Sequence, residues 1–171
     1  MHSIYVEIVC QTVHENYRSE TYYWKNVLTI SRDQWESWKE GQSTISPEVN
    51  QKIMNLFSDY EWMLVQKVLR QAMIYPEKRL LAMENFRKMK LRIAKEWIDH
   101  DLGIVEVAHP KQAPKSQPWI HLKVTVTYNE WGFDDVLTFR VPAVLQTAIA
   151  GETQALLEWM NESIDDTENE R

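Results

Sequence analysis

The chain is short of the residues from which most catalytic and cofactor motifs are built. Cys10 is its one cysteine, so no disulfide can form within it, no paired CxxC metal set exists, and nothing argues for a stapled, secreted fold. Its four glycines, at 41, 103, 132 and 151, are too scattered to make a phosphate-cradling loop or a dinucleotide fingerprint. No run approaches the roughly 18 apolar residues of a membrane span. Residues 2–7 (His-Ser-Ile-Tyr-Val-Glu) show no basic region leading into a long apolar stretch, so no secretory signal is expected. A cytoplasmic protein with no membrane partner is the resulting expectation.

Reactive constellations are equally sparse. Ser116 and Ser163 lie in no GxSxG elbow, and Cys10 sits in an apolar stretch where it reads as a small buried hydrophobe and not as a nucleophile. Asp99, His100 and Asp101, with His109 and His121, supply ligand types for a divalent cation, the basis of a metal-dependent hydrolase reading. Adjacent residues on a helix point in different directions, however, and a histidine at a helix C-terminus is favoured by the helix dipole without any metal. His2 and His14 read as solvent-exposed single residues, and Asp134 and Asp135 as turn residues beside Gly132. No catalytic residue, metal site or cofactor is assigned, and the balance leans away from an enzyme.

What the chain does have is rings and separated charge. Eight Trp and seven Tyr in 171 residues give a Trp-rich core or, because Trp, Tyr and Arg are enriched at interface hot spots, exposed anchors for a partner. Charge is unevenly placed. Between Lys78 and Lys95 lie Lys78, Arg79, Arg87, Lys88, Lys90, Arg92 and Lys95, opposed by Glu84 alone, so this stretch carries +6 and the remainder −12 of the net −6. One face should attract anions while most of the molecule repels them, consistent with a sequence pI near 5.4.

Residues 3–13 and 21–30, rich in β-branched and aromatic side chains, predict two strands joined by a loop over His14 to Glu20, with Ile4, Val6, Ile8 and Cys10 on one face. Ser31 and Gln34 have capping-box spacing and open a short helix through Trp35 and Trp38 to Gly41. Ser46–Pro47 starts a long helix to about Tyr75, which Pro76 ends or kinks. A second helical run, 77 to about 101, closes at Gly103, placed as the left-handed residue past a helix end. The two runs are read as a hairpin. Strands follow at 104–109, 119–128 and 136–141, the second alternating cleanly, with a Pro-rich loop between the first two. Pro142 is expected to open a final helix.

The prediction is therefore an α+β fold of about five mainly antiparallel strands, with a helical hairpin (47–101) inserted between two β segments and a C-terminal helix. Residues 1–164 form one domain, and 165–171 an acidic disordered tail. The leading functional expectation is a non-catalytic regulator or inhibitor of bacterial or phage type that docks on another protein. Glu130, Trp131 and Phe133 at the tip of the last hairpin are its anchor, and a homodimer is a further option. The alternative is a nucleic-acid-binding accessory protein using Arg79, Phe86, Arg87, Lys88, Lys90, Arg92 and Trp97. Lys90 lies on the apolar arc of its helix, so it must either snorkel or mark a stripe that faces water or a partner; the plain reading of the basic run is a solvated face pairing with the protein's own acidic helices.

Overall fold

In the computed structural model, residues 2–17, 19–108, 119–129, 132–146 and 156–163 are described. The expected sites at His109, Glu130 and Trp131, the Pro-rich loop and the acidic tail all lie outside those residues.

The first expected strand is a helix, α1 (His2–Asn16). Its buried residues are Ile4, Ile8, Val9, Thr12 and Val13, a stripe at four- and five-residue steps that a period-two reading of the same residues conceals. Strand propensity lost to burial of that stripe: Ile8, Val9 and Val13 are fully enclosed in the core. The second expected strand is also helical. Ser19 caps a short turn, α2 (Glu20–Tyr22), which runs into a π-helical segment, Tyr23–Leu28. The wider π turn brings Tyr23 and Leu28, five apart, onto one side, and both are buried. Thr29 then takes a left-handed conformation (φ 58°) that ends the segment.

Helix α3 (Arg32–Lys39) opens on the expected capping box of Ser31 and Gln34, and Gly41 beyond it has φ 72°. Ser46 caps α4 (Pro47–Met54), with Pro47 in the first turn. The predicted long helix is broken at Asn55–Ser58, because Ser58 and Glu61 form a second capping box that starts α5 (Asp59–Ile74). Pro76 ends α5 and leads through a 3-10 segment, Pro76–Leu81, into α6 (Ala82–Asp99). The start of α5 lies by the end of α6, where Tyr60 meets Trp97 edge-on with ring centroids 5.0 Å apart. The two helices fold back on each other as expected.

Beyond α6 the left-handed residue is Asp101 (φ 55°) and not Gly103. Gly103 is needed for a different reason. A Cβ there would stand 3.0 Å from Val124 Cγ1 and 3.1 Å from Trp97 Cβ, so the absent side chain is what lets the chain leave α6 against the sheet.

The sheet has three strands among the described residues, not five: β1 (Ile104–Ala108), β2 (Trp119–Tyr128) and β3 (Phe133–Pro142), antiparallel in the order β1-β2-β3. Pro142 closes β3 instead of opening a helix; residues 156–163 are helical. Register pairs Leu122 with Phe139 and Val124 with Leu137. This puts the alternating apolar residues of β2 and β3 on one face, where Ile120, Leu122, Val124, Leu137 and Val141 are buried in the same cluster as α1, α5 and α6. Both missing strands are thus the N-terminal segments that became helices.

Candidate functional site

The basic helix divides its residues between interior and surface. Lys90 is buried, 6% exposed. Its Nζ stands 2.9 Å from Glu61 Oε1, a carboxylate itself only 4% exposed, and donates to the Thr138 carbonyl at 2.7 Å. It also lies over the Phe86 and Phe139 rings, 5.6 and 5.1 Å from their centroids. The apolar-arc placement of Lys90 is legible in sequence; the ammonium neither snorkels nor faces water, and Glu61 neutralises it within the molecule. Phe86 is buried with it. As placed, both are too enclosed to lie along a nucleic-acid strand.

The others remain nearer the surface. Arg79 is exposed and donates through Nε to the Ala72 carbonyl at 3.2 Å. Lys88 is half-buried and paired with Glu84 at 2.7 Å, one turn back. Arg87 and Arg92 are exposed, and Trp97 is half-buried against Tyr60. Indoles are not offered to solvent either: Trp35 and Trp38 are buried and stacked 4.9 Å apart, and the other five described tryptophans are half-buried.

Glu61 is the residue that sequence reasoning missed. Its Oε2 accepts from the Ser58 backbone N–H at 3.1 Å as the return half of the capping box, while Oε1 accepts from both Lys90 and the Thr138 backbone N–H at 2.9 Å. Ser58 Oγ donates to the Val136 carbonyl. β3 is an edge strand among the described residues, so the Val136 carbonyl and the N–H and carbonyl of Thr138 would otherwise be unpaired inside the protein, at a cost of about 1–3 kcal/mol each. Ser58, Glu61 and Lys90 thus stand in for a fourth strand. The Ser-x-x-Glu signature at 58–61 was readable; that the same carboxylate would hold a lysine 29 residues later was not.

The last hairpin carries the other predicted surface. Phe133 is 57% exposed and lies 5.5 Å, centroid to centroid, from Tyr128, which is also exposed and whose hydroxyl donates to Asp135 Oδ2 at 3.1 Å. Leu102 and Ile104, at the adjoining start of β1, are 60% and 58% exposed. Ile104 is level with Thr125 and Tyr128 with Phe133, so these three lie towards the same end of the sheet, with Ile104 on the face opposite to the two rings, and Leu102 precedes Ile104 in sequence.

Candidate reactive groups are engaged in structural contacts. The Cys10 thiol is half-buried on α1, and burial, reinforced by Glu20, pushes its pKa up to about 11, away from thiolate chemistry. His100 is exposed and hydrogen-bonds through Nδ1 to the carbonyl of Glu96 at 2.9 Å, the helix-end role expected of it. His121 Nε2 lies 3.0 Å from the carbonyl of Glu15 at the end of α1, and burial holds its pKa below the usual histidine value. Arg140, opposite His121 in register, donates to the preceding carbonyl, His14, at 3.1 Å and lies over the Trp119 ring. His2 is exposed, edge-on to Trp38. Among the described residues no three His, Cys, Asp or Glu side chains gather as a metal set, and no helix is long and apolar enough to cross a membrane. Compared with protein-family models, with curated proteins and with solved structures, the chain has no match.

Proposed function

We propose that this chain is a non-catalytic docking protein that binds another protein through the end of its sheet, centred on Phe133 and Tyr128 and extended by Leu102 and Ile104. The observation that carries this reading is the exposed Tyr128–Phe133 ring pair at the end of the sheet, followed in sequence by Asp134 and Asp135, with Leu102 and Ile104 also exposed beside the start of β1. Each such side chain gains about 1.5–3 kcal/mol when fully buried, and aromatic rings in this setting are typical interface anchors. Binding would act by occlusion: the acidic body excludes competing anions and steers a basic partner surface. Glu130 and Trp131, neighbours of these residues in sequence, remain part of the proposed anchor.

The test is affinity purification from the native host with the parent chain, Phe133→Ala and the Leu102→Ser/Ile104→Ser double variant, each checked for unchanged circular dichroism. Loss of the co-purifying protein with both variants, and its retention with the exposed-surface change Lys25→Ala, is the expected outcome. Retention at unchanged affinity by both would remove this surface from consideration. The nucleic-acid alternative has lost Lys90 and Phe86 to the interior, and a salt-insensitive or absent anisotropy signal with single-stranded DNA and RNA would dispose of it.

A further inference from the structure

A cavity of about 80 Å³ opens where α1, α6, β3 and the helical residues 156–163 meet. Its apolar walls are Phe86, Phe139 and Trp159, and its charged lining is Glu15, Arg87, Lys90 and Arg140. That is room for a few waters or for one small polar group with a short carbon chain.

The charges decide which group. An ammonium has three N–H donors, and Lys90 directs two of them to Glu61 and Thr138. The third belongs to a group 94% removed from solvent, given its 6% exposure, and lines the cavity. Arg87 forms no hydrogen bond or ion pair with the described residues and lines the same space. Arg140 commits one nitrogen to His14 and keeps the rest of its five-donor fork. Glu15 accepts from Gln11 at 3.2 Å and has no cation within ion-pair distance among the described residues. With Lys90 balanced by Glu61, two guanidinium groups against one carboxylate leave a single positive charge beside three aromatic rings.

We propose that this cavity is a binding site for a small carboxylate ligand. The carboxylate accepts from Arg87 and from the spare Lys90 N–H, and its two or three carbons pack on Phe86, Phe139 and Trp159. Carboxylate fits better than phosphate because it carries one charge, matches the guanidinium fork, and brings hydrocarbon for the ring-lined wall.

The full chain, labelled with 15N, would be titrated with sodium propionate at constant ionic strength, following the Trp159 indole and Arg87 Nε signals. Saturable shifts in both are expected. The uncharged isostere propionamide should bind at least about tenfold more weakly, since charge-assisted hydrogen bonds are roughly twice as strong as neutral ones. Arg87→Gln should weaken propionate by a similar factor, with Arg87→Lys restoring part of it and Lys123→Gln, outside the cavity, changing nothing. Shifts linear in concentration, equal binding of propionamide, or an unaltered Arg87→Gln variant would each overturn the assignment and leave a cavity filled by water. Inorganic phosphate binding more tightly than propionate would overturn the carboxylate class. None of these results bears on the sheet-end surface, which lies on other residues.

Discussion

Glu61–Lys90 and Glu20–Lys39 each join elements distant in sequence, and they differ in what surrounds them. Lys39 reaches Glu20 at 2.6 Å and Glu36 at 3.1 Å, with the lysine and Glu20 side chains retaining 21% and 25% of their exposure, and the Trp35 indole also donates to Glu20. Lys90 and Glu61 retain 8% and 5%. A water-lapped pair is cheap to form and cheap to lose. An enclosed pair is costly to assemble, so it persists where its charges also satisfy something else, here the backbone of Thr138 and Ser58. The comparison teaches that the inner pair is best understood as main-chain hydrogen bonding supplied by side chains, and the outer one as a local clasp on a helix-rich corner.

Lys90→Met tests the inner pair most severely. It strands the Glu61 carboxylate without its counter-charge, and a loss of about 3–5 kcal/mol in denaturant-measured stability is expected. The Glu61→Leu/Lys90→Met double variant sharpens the distinction. Replacing a buried ion pair by hydrophobes is often neutral, but here the N–H and C=O of Thr138 would lose their partners, and a deficit of about 2 kcal/mol should remain. A double variant as stable as the parent would break the account of the sheet edge. Lys39→Met should cost only about 0.5–1 kcal/mol, and a larger loss would erase the contrast.

The smallest expected effect is the pH and salt response of the outer pair. Burial raises the Glu20 pKa, but hydrogen bonds from Lys39 and Trp35 outweigh it and hold the carboxyl below its usual value. Because the folded-state pKa is depressed, the stabilisation is present above the ordinary glutamate range and is lost as pH falls through the folded-state value. Lys39 is shifted the other way: burial lowers its pKa, and hydrogen bonds to Glu20 and Glu36 more than reverse this. Its contribution is full below the ordinary lysine range and fades as pH rises through the folded-state value. Acid melts of the parent and of Lys39→Met should therefore differ in slope by a few tenths of a kcal/mol. That difference should shrink at high salt, which screens partly exposed charges more than enclosed ones. Equal acid slopes would show that the clasp contributes nothing.

The C-terminal half was far more legible than the N-terminal half, and the reason is periodicity. In β2 every second residue from Ile120 is apolar with polar partners between, and no other element explains that spacing. The caps at Ser31 and Ser46 are legible because each rests on a local side chain reaching a local N–H. In α1, Ile4, Val6, Ile8 and Cys10 fit a strand, while Ile4, Ile8, Thr12 and Val13 fit a helix equally well, and only packing against α5 and α6 decides between them. The π turn at Tyr23–Leu28 has no such pattern to read. For the sites, the place of Phe133 beside a hairpin turn was legible, and the ring is exposed there. The Lys90 environment was not, because its acceptors come from α5 and β3, and no spacing along one helix encodes a meeting of three elements.

Closure of the β3 edge also makes the sheet directional. A visiting peptide seeking to pair along β3 would find the Val136 carbonyl and both main-chain groups of Thr138 already engaged, so its ladder would be interrupted at the middle of that strand.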